Sequence, residues 1–433
     1  MGKVNIFWFR RDFRLDDNVG LYDALKSNNP VLPIFIYDTD IINKLPKDDA
    51  RLTFIFESLQ KLNKTLKENH KSSIGFYHGK PIEIFKELVN KYNIEKVFTN
   101  KDYEPYAIKR DNSIKDLLKE NNIDFKTYKD QVIFEESEVV KGDGEPYLVF
   151  TPYMKKWKKV FKEFDLQDYP SEKHLDNLIK DTNLPDLHLE NMGFEESSIK
   201  VPDYHLEKEF LENYDDTRDK PSINGTSRLS PYLRFGLVGY RKIVKKALSV
   251  EDKTFLNELI WREFYKVILF HFPESAHEAF KKKYDRIEWR NDEKEYEKWT
   301  KGQTGYPIVD AGMRQLNETG WMHNRVRMIV GSFLCKHLLI DWRWGEDYFA
   351  KKLLDFEMSS NVGGWQWVAG SGVDASPYFR IFNPYSQTDK FDKDKKYIKK
   401  WVPEFDTDEY VEPMVNHKEA RERCLKTYKS ALN

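Results

Sequence analysis

A short stretch of the sequence carries a carboxylate, a guanidinium and two aromatic rings at helical spacing. Glu258, Trp261, Arg262 and Tyr265 stand at i, i+3, i+4 and i+7, so a helix would place all four on one face. Such a face suits a planar ligand that forms hydrogen bonds. The spacing also fits an exposed Glu–Arg pair worth about 0.3–0.5 kcal/mol, but two aromatic residues on the same stripe favour partial burial.

The segment Asn224–Pro231 has the composition of a phosphate-binding loop. Gly225 would let the backbone approach a ligand, and the hydroxyl groups of Thr226 and Ser227 can donate hydrogen bonds. Ser230 followed by proline predicts an N-cap and the first turn of a helix, where free N–H groups attract anions. An ordinary capped helix start has the same pattern, so the segment alone leaves both interpretations open.

Two later segments add groups that could contact a flat ligand. Asn324, Arg325 and Met328 share one face of an expected helix, and an amide, a cation and a thioether can read a base edge and stack on it. Gly363 and Gly364 stand beside tryptophan and asparagine residues, which indicates close approach of backbone to a flat cofactor. A structural role for the segment with Asn324, Arg325 and Met328 is equally compatible with the sequence.

Strand and helix signals alternate in the first third of the chain. They predict a Rossmann-like α/β domain with a parallel sheet covered on both faces. The expected strands are Val4–Phe9, Pro30–Tyr37, Ser73–Tyr77, Val97–Thr99 and Phe125–Tyr128. The expected helices are Asn18–Lys26, Arg51–Asn69, Pro81–Tyr92 and Tyr106–Glu120. The first strand is not followed by the glycine-rich dinucleotide fingerprint.

The remaining sequence predicts a connector and a helical domain. Residues 1–130 form the α/β domain, residues 131–204 are irregular and polar, and residues 205–433 carry helical periodicity without strand signals. The longest expected helices are Phe255–Phe272, Tyr306–Thr319 and Arg325–Leu339. The fold class is therefore an α/β N-terminal domain followed by an all-α C-terminal domain.

The composition restricts the class of protein. The chain has 433 residues, a formal net charge of −1 and two cysteines, so neither a disulfide framework nor a strongly basic nucleic-acid binder is indicated. Its ten histidines show no metal-ligand spacing, and no metal is assigned. The absence of a long apolar run and of a signal-peptide pattern predicts a cytoplasmic protein without membrane contact.

A local cluster of basic residues is a candidate DNA-binding face in spite of the near-neutral total. A solvated helix surface is the alternative explanation of the same residues. The cluster comprises Arg218, Lys220, Arg228, Arg234, Arg241, Lys242, Lys245 and Lys246.

Taken together, several segments closely resemble the photolyase/cryptochrome family, and the resemblance covers nearly the whole chain. They are GTSRLSPYLRFG, NELIWREFY, TGYPIVDAGMRQLNETGWMHNRVRM, DWRWGEDYF, NVGGWQW and PYFRIFNP, in the order of the family, with the opening FWFRRDFRLDDN. The closest resemblance is to class I cyclobutane pyrimidine dimer photolyases. It implies FAD in the helical domain, damaged DNA as partner, and a monomer.

The resemblance also assigns roles to individual residues. The expected FAD-binding residues are Tyr214, Thr226, Ser227, Arg228, Leu229, Ser230, Trp261, Arg262, Arg327, Asp355, Glu357 and Asn361. The expected electron-transfer chain is Trp289, Trp342 and Trp365. The expected lesion-contacting, catalytic residues are Glu258, Asn324, Arg325, Met328 and Trp367. DNA contacts are expected from Arg218 and Arg380, together with Glu258, Trp261 and Asn324.

The activity implied is light-driven repair of pyrimidine dimers, with electron transfer from excited reduced FAD to a flipped-out lesion. A (6-4) photolyase is disfavoured because no histidine follows His323 in the lesion helix, and a plant cryptochrome because Asn361 is not Asp. DASH-type cryptochromes usually have tyrosine at the position of Trp367, and signalling cryptochromes often have longer C-terminal tails. A light sensor without repair activity is the main alternative. A nucleotide-dependent transferase is disfavoured because no PP-loop, HxGH or P-loop motif occurs.

Two departures from the family pattern concern cofactors. Tyr106 and Ala107 stand where a folate antenna would be held, which argues against folate and leaves a deazaflavin, a second flavin or no antenna. Glu357 stands where many relatives have Asp, so one additional methylene group is expected beside the flavin.

Overall fold

The computed structural model describes residues 2–433, and its sheet has five parallel strands. They are β1 Val4–Phe9, β2 Val31–Asp38, β3 Gly75–Gly79, β4 Ile94–Asn100 and β5 Asp124–Tyr128, in the order β3-β2-β1-β4-β5. All residues of β1 and β2 are buried, as expected for strands covered on both faces. The predicted parallel sheet is confirmed, and the largest boundary error is at β4, which was expected only at Val97–Thr99.

Five helices accompany the strands. They are α1 Val19–Leu25, α2 Thr39–Ile42, α3 Ala50–His70, α4 Pro81–Lys91 and α5 Pro105–Glu120. Successive residues of β1 point to opposite sides of the sheet. Phe7 and Phe9 join one hydrophobic cluster, while Ile6 and Trp8 join another, so the sheet has a core on each face.

Helices dominate the rest of the chain. The α-helices are α6 Phe150–Lys162, α7 Lys208–Glu212, α8 Tyr214–Thr217, α9 Ser230–Arg234, α10 Tyr240–Leu248, α11 Thr254–His271, α12 Glu293–Lys301, α13 Pro307–Thr319, α14 Asn324–Ser332, α15 Trp342–Lys352, α16 Met358–Ala369, α17 Pro384–Phe391, α18 Lys396–Trp401 and α19 His417–Leu432. Short 3₁₀ segments lie at Ser171–Asn177, Glu190–Met192, Pro273–Ala276 and Lys282–Arg286. The helix expected at Arg325–Leu339 is α14 followed by a π-helical turn, Phe333–His337.

The Cα positions divide the chain into two compact units that interleave along the sequence. The sheet unit contains the chain up to Glu138, Val160–Pro202 and Leu229–Lys246. The helical unit contains Val139–Lys159, Asp203–Arg228 and Ala247–Asn433. The boundaries at 130 and 204 derived from the sequence stay a prediction.

The core of the helical unit lies around α13, α14 and α16. Gly312 of α13 has no room for a side chain, since a Cβ atom there would lie 2.5 Å from Cγ1 of Val326 in α14. Glycine thus allows these two helices to approach closely, and α14 is held where its first turn carries Asn324 and Arg325.

A buried charge network in the sheet unit corrects one expectation about the basic cluster. Arg241 is 5% exposed, and it binds Asp17 and Asp130 at 3.0 Å each. Arg14 binds the same Asp130 at 2.7 Å. Since Arg241 is buried and paired, it is a structural cation rather than part of a DNA-binding face. The two carboxylates compensate its charge, which would be costly to bury alone.

The exposed lysines of α10 are paired as well. Lys242 binds Asp16, and Lys245 binds Asp168. These pairs agree with the alternative of a solvated helix surface.

No helix among residues 2–433 combines the length and the apolar character that crossing a membrane requires. Within the same residues, no three His, Cys, Asp or Glu side chains are grouped so that they could hold a metal ion.

Candidate functional site

Helix α11 carries a partly accessible stripe of polar and aromatic side chains. Glu258, Trp261, Arg262 and Tyr265 are all partly exposed, although the neighbouring positions 259, 260, 263 and 264 are buried. The structure thus confirms that the four residues share a face and that the face is half-buried. A core helix that keeps such a stripe accessible has a surface suited to a ligand.

Aromatic stacking fixes the position of this stripe. The ring of Trp261 stacks on Phe150 with centroids 3.6 Å apart and lies 5.4 Å from Tyr265. The backbone N–H of Phe150 donates to Asp374 at 3.0 Å. A Cβ atom on Gly363 would overlap the ring of Tyr265, so glycine is required where α16 packs against α11.

Glu357 precedes α16 and neutralises two cations of α11. It lies 3.1 Å from Arg262 and 2.7 Å from Lys266, and all three side chains are no more than 11% exposed. Lys266 was not predicted from the sequence, although its spacing of i+4 from Arg262 was a usable signal. A carboxylate shared by two buried cations holds both guanidinium and ammonium groups at the end of the stripe.

Arg327 and Asp355 form the ion pair that was expected from the sequence. Nη2 of Arg327 lies 2.9 Å from Asp355, and Nε donates to the carbonyl oxygen of Met322 at 2.8 Å. Because two acceptors hold the guanidinium, the group is fixed relative to the loop before α14.

Asn361 on α16 is oriented by Glu346 of α15. Its Nδ2 donates to Oε1 of Glu346 at 2.8 Å and to the backbone carbonyl of the same residue at 3.1 Å. Burial raises the pKa of Glu346 to about 6, against the opposing effect of the hydrogen bond from Asn361. With Nδ2 engaged, the amide oxygen of Asn361 is left to accept from a ligand.

Two ion pairs connect the segment after α8 with the expected lesion-contacting residues. Arg218 binds Glu258 at 2.5 Å. Nη2 of Arg325 lies 2.8 Å from both carboxylate oxygens of Asp219, and Nε lies 3.1 Å from one of them. Asp219 was not predicted from the sequence. Burial raises the pKa of Glu258, whereas the charge of Arg218 lowers it.

The other members of this group lie on or near α14. Nη1 of Arg325 is 3.6 Å from the sulfur of Met328, and its guanidinium lies 4.4 Å from the ring centroid of Phe391. Asn324 is exposed at the first position of the helix. The ring Nδ1 of His323 accepts from the backbone N–H of Arg325 at 3.2 Å and so caps the helix.

The three tryptophans of the expected electron-transfer chain lie in the helical unit and differ in exposure. Trp365 and Trp342 are 4% and 2% exposed, whereas Trp289 is partly exposed. Trp365 packs on Phe349 at 4.9 Å between centroids, and Trp289 meets Tyr428 edge to face at 5.9 Å. Trp367, also partly exposed, is two residues beyond Trp365 on α16.

The expected phosphate-binding loop is tightly packed between Gly225 and Arg228. A Cβ atom on Gly225 would lie 2.5 Å from the carbonyl oxygen of Thr217, and Arg228 has a φ of +52°. The Arg228 guanidinium lies 4.7 Å from the ring of Trp321, and burial lowers its pKa. A strained backbone beside hydroxyl groups and a partly desolvated cation suits an anionic ligand.

The prediction that Ser230 is an N-cap is wrong by one residue. Leu229 is the N-cap of α9, and Ser230 is already the first helical residue, with no side-chain cap. The backbone of Leu229 has φ −76° and ψ −20°, so the helical conformation begins before Ser230 could cap it. Both residues belong to the sheet unit, whereas 203–228 belong to the helical unit.

Comparison with known proteins identifies the family. A family model described as DNA photolyase matches residues 5–173, and one described as the FAD binding domain of DNA photolyase matches residues 255–408. A deoxyribodipyrimidine photo-lyase of Alkalihalophilus pseudofirmus is 36% identical, with 98% of this chain and 97% of the relative covered. This chain belongs to the DNA photolyase family.

Solved photolyase structures share the fold over the whole length. The bacterial class III photolyase from Agrobacterium tumefaciens has a TM-score of 0.87 and 32% identity, covering 100% of this chain and 98% of the other. The archaeal photolyase from Sulfolobus tokodaii, described with two FAD molecules, has a TM-score of 0.83 and 33% identity, covering 99% and 100%. The closer assignment to class I stays a prediction.

The residues present fit the FAD that the photolyase family binds. On α16, the position of a Cβ atom on Gly364 meets nothing within 4 Å, so open space lies one helical turn beyond Asn361. Hydroxyls of Thr226 and Ser227 together with Arg228 form a donor set suited to a diphosphate. Which of these residues contact FAD in this protein stays a prediction.

Arg380 is the remaining DNA-contacting residue expected from the sequence. It is exposed, follows the 61% exposed Phe379, and lies in the segment between α16 and α17. Its guanidinium packs 5.4 Å from the ring of Phe382. Its assignment as a DNA contact stays a prediction as well.

Proposed function

We propose that this protein repairs cyclobutane pyrimidine dimers in DNA in a light-dependent reaction, as a deoxyribodipyrimidine photolyase. Membership of the family over nearly the full chain supports this activity. The observation that carries the proposal is the half-buried group formed by Glu258 and Trp261 of α11 and by Arg325 and Met328 of α14. It offers aromatic, soft apolar and charged contacts to a pair of fused bases.

FAD is held, in this proposal, by the expected binding residues of the helical unit. Thr226, Ser227 and Arg228 would hold the diphosphate, and Asn361 would present its amide oxygen to the isoalloxazine ring. When bound in the reduced form, FAD would supply the light-driven one-electron chemistry that opens the cyclobutane ring. The ion pair of Arg327 and Asp355 would keep a fixed dipole beside the bound flavin.

Glu258 and Arg325 act on the lesion. Negative charge develops on the carbonyl oxygens of the dimer, and donors placed in advance at those oxygens stabilise it. Arg325 supplies a cation, and Glu258 supplies a donor in its protonated form. Burial favours that form because it raises the pKa of Glu258, although Arg218 opposes the shift.

Damaged DNA reaches the pocket by flipping of the dimer. Unstacking costs a few kcal/mol, and less for a lesion that already distorts the duplex. This magnitude describes base-flipping enzymes in general, and photolyases are among the enzymes it was drawn from. The exposed side chains of Arg380 and Asn324 are the proposed contacts to the flanking strand. Their role is to hold the phosphates, which fixes the register without reading sequence.

The wider assignments also belong to this proposal. The expected route of an electron from the surface to oxidised flavin would run through Trp289, Trp342 and Trp365. A second flavin is the favoured antenna if one is bound, since folate is disfavoured by Tyr106 and Ala107 and the Sulfolobus tokodaii relative is described with two FAD molecules.

The protein acts as a cytoplasmic monomer.

The test is repair of one thymine dimer in an oligonucleotide, with purified protein and reductant, in blue light and in darkness. We expect intact thymines to return only in light. Flavin that is bound and photoreduced without any repair would instead favour a light-sensing cryptochrome. In the same assay, an unchanged yield per photon for Glu258→Ala would remove the role given to Glu258.

A further inference from the structure

Two of the expected lesion contacts, Glu258 and Arg325, are each paired with an opposite charge from one short segment. Arg218 is paired with Glu258, and the next residue, Asp219, is paired with Arg325. The two carboxylates balance the two guanidinium groups, so the quartet has no net charge when all four are ionised. Consecutive residues of one short segment therefore neutralise a side chain of α11 and a side chain of α14.

The two members of the Arg325–Asp219 pair differ in their accessibility. Arg325 is 16% exposed and Asp219 is 40% exposed. The carboxylate thus stays in contact with water while it occupies both the Nε and the Nη2 edge of the guanidinium. This is the planar, bidentate edge that a phosphate group would otherwise use.

Non-specific binding to DNA depends on cations that neutralise phosphates. A free Arg325 would add one such cation and would attract undamaged backbone as well as damaged backbone. The lesion itself presents neutral carbonyl groups and a flat apolar face. Met328 and Phe391, which touch Arg325, suit those features and not a phosphate.

We propose that Asp219 is a specificity-determining residue that blocks the phosphate-binding edge of Arg325 and thereby keeps undamaged DNA from competing for the pocket. This inference rests on the proposed function, because it assumes that damaged DNA is the ligand. In this proposal, Asp219 does not itself contact the lesion. It lowers the affinity for the wrong ligand, which is how a repulsive group creates specificity.

The experiment compares Asp219→Asn with the wild-type holoprotein and with Asp216→Asn. The control removes the same charge three residues earlier, from an exposed side chain for which no ion pair occurs within residues 2–433. Affinity is measured for an oligonucleotide with one thymine dimer and for the same undamaged duplex, from low to moderate salt. Light-dependent repair is measured in parallel.

Asp219→Asn is expected to bind undamaged duplex about two- to fivefold more tightly at low salt. The slope of log K against log salt for that duplex should steepen by about 0.9, the value of one additional phosphate contact. Affinity for the dimer should change less, so the ratio between damaged and undamaged DNA falls. Asp216→Asn should leave both the slope and the ratio unchanged, and Asp219→Glu should restore the ratio.

Equal slopes for Asp219→Asn and the wild type would overturn the inference while leaving repair, and hence the proposed function, intact. A loss of dimer affinity without tighter binding of undamaged DNA would also overturn it, because Asp219 would then only position Arg325. If the wild type neither repairs nor prefers the dimer, the proposed function fails and takes the inference with it. Thermal unfolding of each variant verifies that the fold is retained.

Discussion

The amide of Asn361 binds both the side chain and the backbone of Glu346, at 2.8 and 3.1 Å. Two contacts to one residue of the neighbouring helix leave the amide little freedom to rotate. Asn361, which is expected to face the reactive edge of the flavin, is thus oriented by the carboxyl group of Glu346. Burial raises the pKa of this carboxyl group to about 6.

Glu346 should make stability depend on pH in a defined window. A carboxyl with a raised pKa in the folded state favours folding when protonated, so its contribution is complete below about pH 4.5 and is lost as pH rises through about 6. The wild type should therefore lose on the order of 1 kcal/mol of unfolding free energy between these two pH values, and Glu346→Gln should not show this loss. Urea unfolding of both proteins at pH 4.5 and 7 measures the difference, and parallel pH profiles would contradict this assignment.

Loss of the carboxylate of Glu357 should strongly destabilise the helical unit. Glu357→Leu removes the carboxylate that Arg262 and Lys266 share, and breaking a buried pair in this way costs about 3–5 kcal/mol. Urea unfolding measures the loss. The matched control is Asp347→Asn, which breaks an exposed pair with Lys351 and should cost less than about 0.5 kcal/mol. Equal effects of the two changes would refute the burial argument.

Neighbouring glycines on α16 should respond differently to alanine. Gly363→Ala overlaps the ring of Tyr265 and should destabilise the protein by about 1–3 kcal/mol. Gly364→Ala meets no atom within 4 Å and should be neutral or stabilising by up to about 1 kcal/mol, because alanine is the better helix former.

The flavin content of the purified variants gives a second measurement. If flavin lies against Gly364, Gly364→Ala should retain its stability and lose flavin. A fully loaded Gly364→Ala protein would place the ring elsewhere.

A pair of histidines should make the docking of α19 sensitive to acid. Nε2 of His337 lies 2.8 Å from Nδ1 of His417, and burial lowers the pKa of His337 to about 3. A depressed histidine pKa contributes stability above about pH 6.5, and this stability is lost as pH falls. Amide exchange in α19, corrected for its intrinsic pH dependence, should therefore accelerate between pH 7 and 5. His337→Leu should flatten that response, and an unaltered response would exclude the pair as its source.

Replacing Trp342 should separate photoreduction from repair. Trp342→Phe should abolish light-driven reduction of oxidised flavin and leave repair by chemically reduced protein intact. Trp299→Phe is the control, since Trp299 is also buried and lies 6.1 Å from Trp365 but is not in the expected chain. Flavin absorbance during illumination reports reduction. Continued photoreduction in Trp342→Phe would require another route for the electron.

Local pattern was sufficient for much of the fold. β1 was predicted with its observed bounds, and α13 was predicted within one residue, because apolar periodicity and proline at a helix start are properties of neighbouring residues. The stripe on α11 was predicted for the same reason. Family membership followed from long motifs in a fixed order, which requires no coordinates.

Only the tertiary structure decided which charges are paired and which are open to solvent. Arg241 was grouped with basic surface residues, but it is buried against Asp17 and Asp130, which stand more than a hundred positions earlier in the chain. Asp219 and Arg325 are brought together over a similar separation. Sequence states the sign of a charge and its local spacing, whereas desolvation and Coulomb energy depend on distances that exist only after the chain has folded.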